Sequence, residues 1–173
     1  MKKIYVLISI LLISFIVQNP PIAFAEQSFS VPPMLQNLKG REELVGYFNE
    51  IKRIRSNINT ININTVTAKD KAIETKNQIN FYLTQLSTLE NSMSNFKKQY
   101  SNSESDLLFA EQIKLLLDTY KMSLKQQLSL LNALLDNNMD ASKLFYSDYL
   151  TYIYYYLSLG DQMMSYVNTF YNL

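Results

Sequence analysis

The chain has no cysteine, no histidine and no tryptophan, and only three glycines and four prolines among its 173 residues. Each shortage excludes something. Without cysteine there is neither a disulfide framework nor a thiolate zinc site. Without histidine and cysteine, Ser-His-Asp and Cys-His systems lack their base or their nucleophile. The Glu-x-x-His pattern of a bundle-core di-metal site is missing for the same reason. All-β folds need many turns, and turns draw on Gly and Pro, so their scarcity argues for a few long helices.

Charge of one sign is also lacking, with 16 Lys and Arg against 15 Asp and Glu. A near-neutral chain has no field that would draw it to nucleic acid or to an anionic membrane. The densest basic cluster, Lys52, Arg53 and Arg55 with Lys39 and Arg41 upstream, is diluted by Glu42, Glu43 and Glu50. It reads as a solvated helix face. The carboxylates are scattered: Glu42 and Glu43 diverge on a helix, and Asp136 and Asp140 flank a turn. There is no Gly-rich phosphate loop and no Asp-rich calcium loop. The expectation is a protein without catalytic residues, metal or cofactor.

What is present begins with a targeting pattern. Lys2 and Lys3 precede an apolar run from Ile4 to Val17, Pro20 and Pro21 break it, and Ala23-Phe24-Ala25 follows. That is the layout of a secretory signal peptide cut near Ala25, with an uncleaved N-terminal anchor as the alternative. Removing Lys2 and Lys3 from the 16 basic residues leaves 14 against 15 acidic ones, a formal charge of −1. The organisation expected is a signal peptide at 1–25, an extended leader at 26–33 and a helical domain at 34–173.

Three polar clusters, at 64–67, 101–103 and 136–138, divide that domain into segments 35–64, 68–100, 104–136 and 140–172. Rods of similar length joined by short loops run antiparallel, which predicts an all-α, up-down-up-down antiparallel four-helix bundle with long helices. Helix starts are signalled by Thr67 before Asp70, Ser101 before Glu104, Ser103 before Asp106, and Asp140. The second segment carries a heptad seam: Ala72, Ile79, Leu86, Met93 and Tyr100, with Tyr82, Leu89 and Phe96 at the fourth position. Ala110, Ile113, Leu117, Tyr120, Leu124, Leu128, Leu131 and Leu135 share one face of the third. Tyr146, Tyr149, Leu150, Ile153, Tyr156, Leu157, Gly160, Met164, Val167 and Tyr171 share one of the fourth. The first, with Leu44, Tyr47, Ile51, Ile54, Ile58 and Ile61, turns to a period of two at Ile61-Asn62-Ile63-Asn64, where its last turn frays or extends. Gly160 lies on a core face, where close helix approach or a slight kink explains it.

Two stripes are left over. Phe145, Tyr152, Leu159, Tyr166 and Leu173 recur every seven residues along one flank of the fourth helix. Leu108, Leu115 and Met122 do so on the outside of the third, whose first half is apolar nearly all round, so that helix is central or covered by another chain. In the run 152–156, Tyr154 and Tyr155 point away from the face centred on Ile153, so exposed rings are expected there. Tyr suits such a surface because its ring is apolar and its hydroxyl tolerates water. The candidate partner-binding residues are therefore Phe145, Tyr152, Tyr154, Tyr155, Leu159, Tyr166, Leu108, Leu115 and Met122, and the competing explanation is helix faces wedged between neighbours. The expected function is an exported, non-catalytic bundle that binds a protein partner or self-associates through its third and fourth helices, without nucleic acid. The alternatives are a membrane-active α-helical toxin-like protein and a structural component of an envelope or spore layer.

Overall fold

The computed structural model describes residues 35, 37–58, 68–136, 150–171 and 173. They are organised as four helices packed against one another, with no strand among the described residues. The helices are α1 (Arg41–Ile58), α2 (Ala68–Gln99), α3 (Glu104–Leu135) and α4 (Leu150–Tyr171). The expected signal segment at 1–25 and leader at 26–33 lie outside the described residues. So do the break at 64–67 with its Thr67 cap, the period-two end of the first segment, the Asp140 cap, and Phe145, Tyr146 and Tyr149. No helix among the described residues is long and apolar enough to cross a membrane.

Residue numbers run in opposite directions across the α1–α2, α2–α3, α3–α4 and α1–α4 contacts, and in the same direction from α1 to α3, where Gly40 meets Asp106 and the Arg55 guanidinium lies 5.7 Å from the centre of the Tyr120 ring. Between α1 and α2, Tyr47 meets Phe96 edge-on at 6.0 Å, while Arg53 donates to Gln85 at 3.3 Å. Between α2 and α3, Lys97 pairs with Glu111 at 2.6 Å and Glu90 with Lys121 at 2.5 Å. Between α3 and α4, the Tyr171 hydroxyl donates to Gln112 at 3.0 Å and the Ser123 hydroxyl to the Ile153 carbonyl at 3.1 Å. Between α1 and α4, Lys52 donates to Asn168 at 2.9 Å and Arg55 to Asp161 at 2.7 Å.

The seam of α2 packs as its spacing predicts: Ala72, Ile79, Tyr82, Leu86, Leu89, Met93 and Phe96 are buried, and Tyr100 is half-buried. Helix α3 packs against all three others. Its buried set is accordingly wider than one stripe, adding Phe109, Leu116 and Leu130 to the expected Ala110, Ile113, Leu117, Tyr120, Leu124 and Leu131. Leu128 and Leu135 are only half-buried. Helix α1 buries Leu44, Ile51, Ile54 and Ile58 as expected, and also Phe48.

Two local readings need correction. The first segment is not one unbroken helix from residue 35: Leu35 is helical, residues 37–40 form a turn, and α1 runs from Arg41. The Lys39 and Gly40 backbone N–H groups are turned onto the Asp106 carboxylate at 3.1 and 2.9 Å, and the Gly40 carbonyl accepts the first helical bond, from Leu44. Ser103 sits at the N-cap of α3, yet its side chain caps no backbone N–H. Its hydroxyl donates to Asp106 instead. Asp106 is thus a cap for the entry to α1, reached across the fold from the first turn of α3.

The basic cluster on α1 is likewise not a plain solvated face. Arg55 is mostly buried and pairs with Asp161 through both carboxylate oxygens, at 2.7 and 2.6 Å. Lys52 bonds Asn168 and lies 5.5 Å from the centre of the Phe48 ring. Of these three, Arg53 fits the expectation, pairing with Glu50 in the open, and Lys39 upstream is exposed as well.

Gly46 is exposed on α1, and a Cβ placed there would meet nothing within 4 Å. Gly46→Ala should therefore raise stability by about 0.5–1 kcal/mol, because alanine has less chain entropy to lose in a helix. A urea titration followed by circular dichroism checks this, and a lower midpoint would contradict it.

Candidate binding surface

The rotation of α4 about its own axis decides which of its aromatic rings meet solvent. Two contacts set it. Gly160 presses against the ring of Tyr120, so closely that a Cβ at 160 would stand 2.5 Å from a ring carbon. The next residue, Asp161, accepts the Tyr120 hydroxyl at 2.8 Å as well as the Arg55 guanidinium. Burial works against a charge on Asp161, but the bonds from Arg55 and Tyr120 outweigh it and hold its carboxyl below the usual aspartate range. Burial, and then the Asp161 carboxylate, push the Tyr120 hydroxyl well above its ordinary value. Ile153, Val167 and Tyr171 are buried on the same side of α4, with Tyr156, Leu157 and Met164 half-buried.

With that side turned inward, the remaining face of α4 is left to solvent. Tyr152 is 54% exposed, Tyr155 58% and Tyr166 58%, while Leu159 and Leu173 are half-buried. Tyr154 is equally exposed but belongs elsewhere. Two positions on from Tyr152, it sits about 140° round the helix from the stripe, at 3.6 residues per turn. On α3, Leu108 and Leu115 are about 60% exposed and Met122 is 39% exposed. Phe145 lies outside the described residues.

The fold joins the two stripes. An open groove of about 420 Å³ runs between α3 and α4, lined by Gln112, Leu115, Leu159, Met163, Tyr166 and neighbouring Gln162 and Val167. Leu115, Leu159 and Tyr166 are thereby brought to one place. No charged side chain lines it. Asp161 is the sole charged residue among the 22 of α4, and it is engaged with Arg55 and Tyr120. The neighbouring charges of α3 are turned toward α2, where Lys114 and Lys121 both reach Glu90 and Lys114 also holds Asp118.

Sequence reasoning missed one member of this surface. Phe170 is 46% exposed and stacks on Tyr166, with ring centres 5.3 Å apart and planes 13° from parallel. It continues through Tyr171 to Phe109 as a chain of ring contacts at 5.2 and 4.2 Å. Its spacing of four from Tyr166 was the available signal, since side chains at i and i+4 meet on a helix. Exposed Ile73 and Phe81 on α2 were also missed. Phe81 borders a second, smaller groove with Glu50, Gln85 and Ser92.

The chemistry available in the α3/α4 groove is apolar area plus neutral hydroxyl and amide groups. Such a surface suits recognition by burial and hydrogen bonding. Among the described residues, no three Asp or Glu side chains gather where a metal ion could be held. No protein-family model matches the chain, and the comparisons with curated proteins and with solved structures return no match.

Proposed function

We propose that this is an exported, non-catalytic protein, cleaved near Ala25, whose mature chain is an up-down-up-down antiparallel four-helix bundle that recognises protein through α3 and α4. The observation that carries this reading is the α3/α4 groove lined by Leu115, Leu159 and Tyr166 and by no charged side chain, on helices that also expose Leu108, Met122, Tyr152, Tyr155 and Phe170. A solvated helix ordinarily shows charges of both signs on its outer face. Helix α4 shows rings, hydroxyls and amides instead. Tyr at high density supplies contact area at low cost in side-chain entropy, since it has only two side-chain torsions to fix. Export is supported by the basic head, apolar run and Ala-Phe-Ala segment of the first 25 residues.

Photo-crosslinking in the source cells tests the face. A benzophenone side chain at position 155 or 166 should give a covalent protein adduct, and the same group at position 74, exposed on α2, should not. Adducts at neither face, or equally at both, would contradict the reading. Replacing Tyr152, Tyr155 and Tyr166 together by Ser should abolish that recognition and leave the helical circular dichroism unchanged. Loss of the helical signal would assign those rings to the core.

A further inference from the structure

A peroxide finds few targets in this chain. Cysteine, histidine and tryptophan are missing, so methionine sulfur is the side-chain site most open to two-electron oxidation. Of the seven methionines, Met1, Met34 and Met139 lie outside the described residues. Met93 is buried in the seam of α2, and Met164 is half-buried on the inward side of α4. Met122 is exposed on α3 but does not line the α3/α4 groove. Met163 is half-buried and does line it. Its neighbours on the same side of α4 are Leu159, four residues before it, and Tyr166 and Val167, three and four residues after it. All three line the same groove, so an atom added to Met163 enters the middle of the α4 wall.

A second contact suits the oxidised side chain. The hydroxyl of buried Thr119 stands 3.8 Å from the Met163 sulfur and donates to the Leu115 carbonyl at 2.8 Å. A hydroxyl has one proton, and a thioether sulfur is a weak acceptor, so the carbonyl holds it. A sulfoxide oxygen is a far stronger acceptor than a thioether. The Thr119 hydroxyl turns to it, and the Leu115 carbonyl keeps its place in the hydrogen-bond ladder of α3. The oxygen is thereby fixed in the wall with its other lone pair open to the groove. A partner that covers the groove must strip water from that lone pair, which opposes binding.

We infer that Met163 is an oxidation site that controls the α3/α4 groove: hydrogen peroxide converts its thioether to the sulfoxide, Thr119 holds the new oxygen, and the groove releases its protein partner. This rests on the protein-recognition reading of the face and adds its regulation. In the step, a sulfur lone pair attacks one peroxide oxygen, the S–O bond forms and the O–O bond breaks. The transferred oxygen gives up its proton to the departing hydroxide, which leaves as water. Sulfur is oxidised by two electrons and the peroxide is reduced by two. Methionine sulfoxide reductases supplied with a dithiol reverse it, the oxygen leaving as water and the dithiol becoming a disulfide. The chain has no cysteine with which that dithiol could exchange.

Dilute hydrogen peroxide on the purified chain, processed as the cell leaves it, tests the site by peptide mass spectrometry. Met163 should gain an oxygen at least about tenfold faster than buried Met93, and equal rates would overturn the site. The chain carrying the benzophenone at position 155 is then oxidised, freed of peroxide and irradiated with an extract of the source cells and their medium. Its protein adduct should fall by about tenfold or more. Met163→Leu, which keeps the volume and cannot be oxidised there, should retain its adduct after the same treatment. Met163→Gln, polar without oxidation, should lose it untreated. Helical circular dichroism should be the same in every sample, and its loss in the oxidised native chain would overturn the inference by placing the oxygen in the core. An adduct that survives full oxidation at Met163, or one that Met163→Leu loses as well, would overturn the regulation alone. No adduct from the untreated chain would remove the recognition reading, and the regulation with it.

Discussion

Asp106→Ala lowers the stability of the protein by about 3 kcal/mol, the combined effect of leaving buried donors without an acceptor and losing hydrogen bonds to a charged group. Asp106 is fully buried at the start of α3, yet it is one of the best-satisfied groups in the fold. Its carboxylate accepts the Gly40 N–H at 2.9 Å, the Lys39 N–H at 3.1 Å and the Ser103 hydroxyl. Alanine removes all three acceptor contacts and leaves the Gly40 N–H facing a methyl group. Asp106→Asn keeps one acceptor oxygen but turns an NH₂ donor toward other donors, so it should cost about half as much. Thermal melts followed by circular dichroism check both. A fall of about 10 °C is expected for the alanine variant of a chain this size, and an unchanged midpoint would show that α1 enters the fold without this cap.

The same carboxylate gives the fold an acid limit. Burial opposes its ionisation, but the Ser103 hydroxyl and the Gly40 and Lys39 N–H groups outweigh that and hold its pKa below the ordinary aspartate value. A group whose pKa is depressed on folding contributes stability above its unfolded pKa, near 4, and loses it as the pH falls through the folded value. Asp161 behaves in the same way through Arg55 and Tyr120. Stability should therefore fall as the pH drops below about 4. The difference between the native chain and Asp106→Asn should narrow over that range, since the variant lacks the titrating group. A difference independent of pH would contradict the role given to the charge.

Gly160→Ala destabilises the protein by about 2 kcal/mol, against the usual benefit of about 1 kcal/mol for this exchange within a helix. The added methyl would stand 2.5, 2.8 and 3.0 Å from three carbons of the Tyr120 ring. That ring is fully buried, and its hydroxyl is tethered to Asp161. It cannot swing away without giving up that bond, so either α4 shifts outward or the Tyr120–Asp161–Arg55 cluster opens. Tyr120→Leu removes the ring and its hydroxyl together. In its background the cost of Gly160→Ala should fall by at least about 1 kcal/mol, the size of coupling expected between residues in contact. Denaturant titration of the four proteins measures it, and additive effects would show that the close approach is not what glycine serves. Gly160 and Gly46 thus make opposed predictions for one substitution, separated only by what lies beside each residue.

These contacts also explain why the candidate surface exists. An 80° roll of α4 would bury Tyr152, Leu159 and Tyr166 and expose Ile153 and Val167, with little change in how many apolar residues are covered. Hydrophobic burial alone therefore discriminates weakly between the two rotations. Gly160 against Tyr120 and Asp161 against Arg55 discriminate strongly, because a methyl-sized gap and a two-oxygen ion pair each tolerate only one placement.

The amino-acid sequence by itself determined the helical class, the limits of α2 and α3, the buried seam of α2 and the exposure of Tyr154 and Tyr155. All of these follow from local causes: breakers end helices, and a seven-residue period puts like residues on one face. Only the tertiary structure decided the turn that precedes α1, the engagement of Arg55, and the meeting of Leu115 with Leu159 in one groove. Asp106 lies 66 residues from Gly40, and Asp161 lies 106 from Arg55. Such pairs depend on how far one helix slides and rolls against another. That register is set by the shapes of particular side chains in contact, and no periodicity within a single helix encodes it.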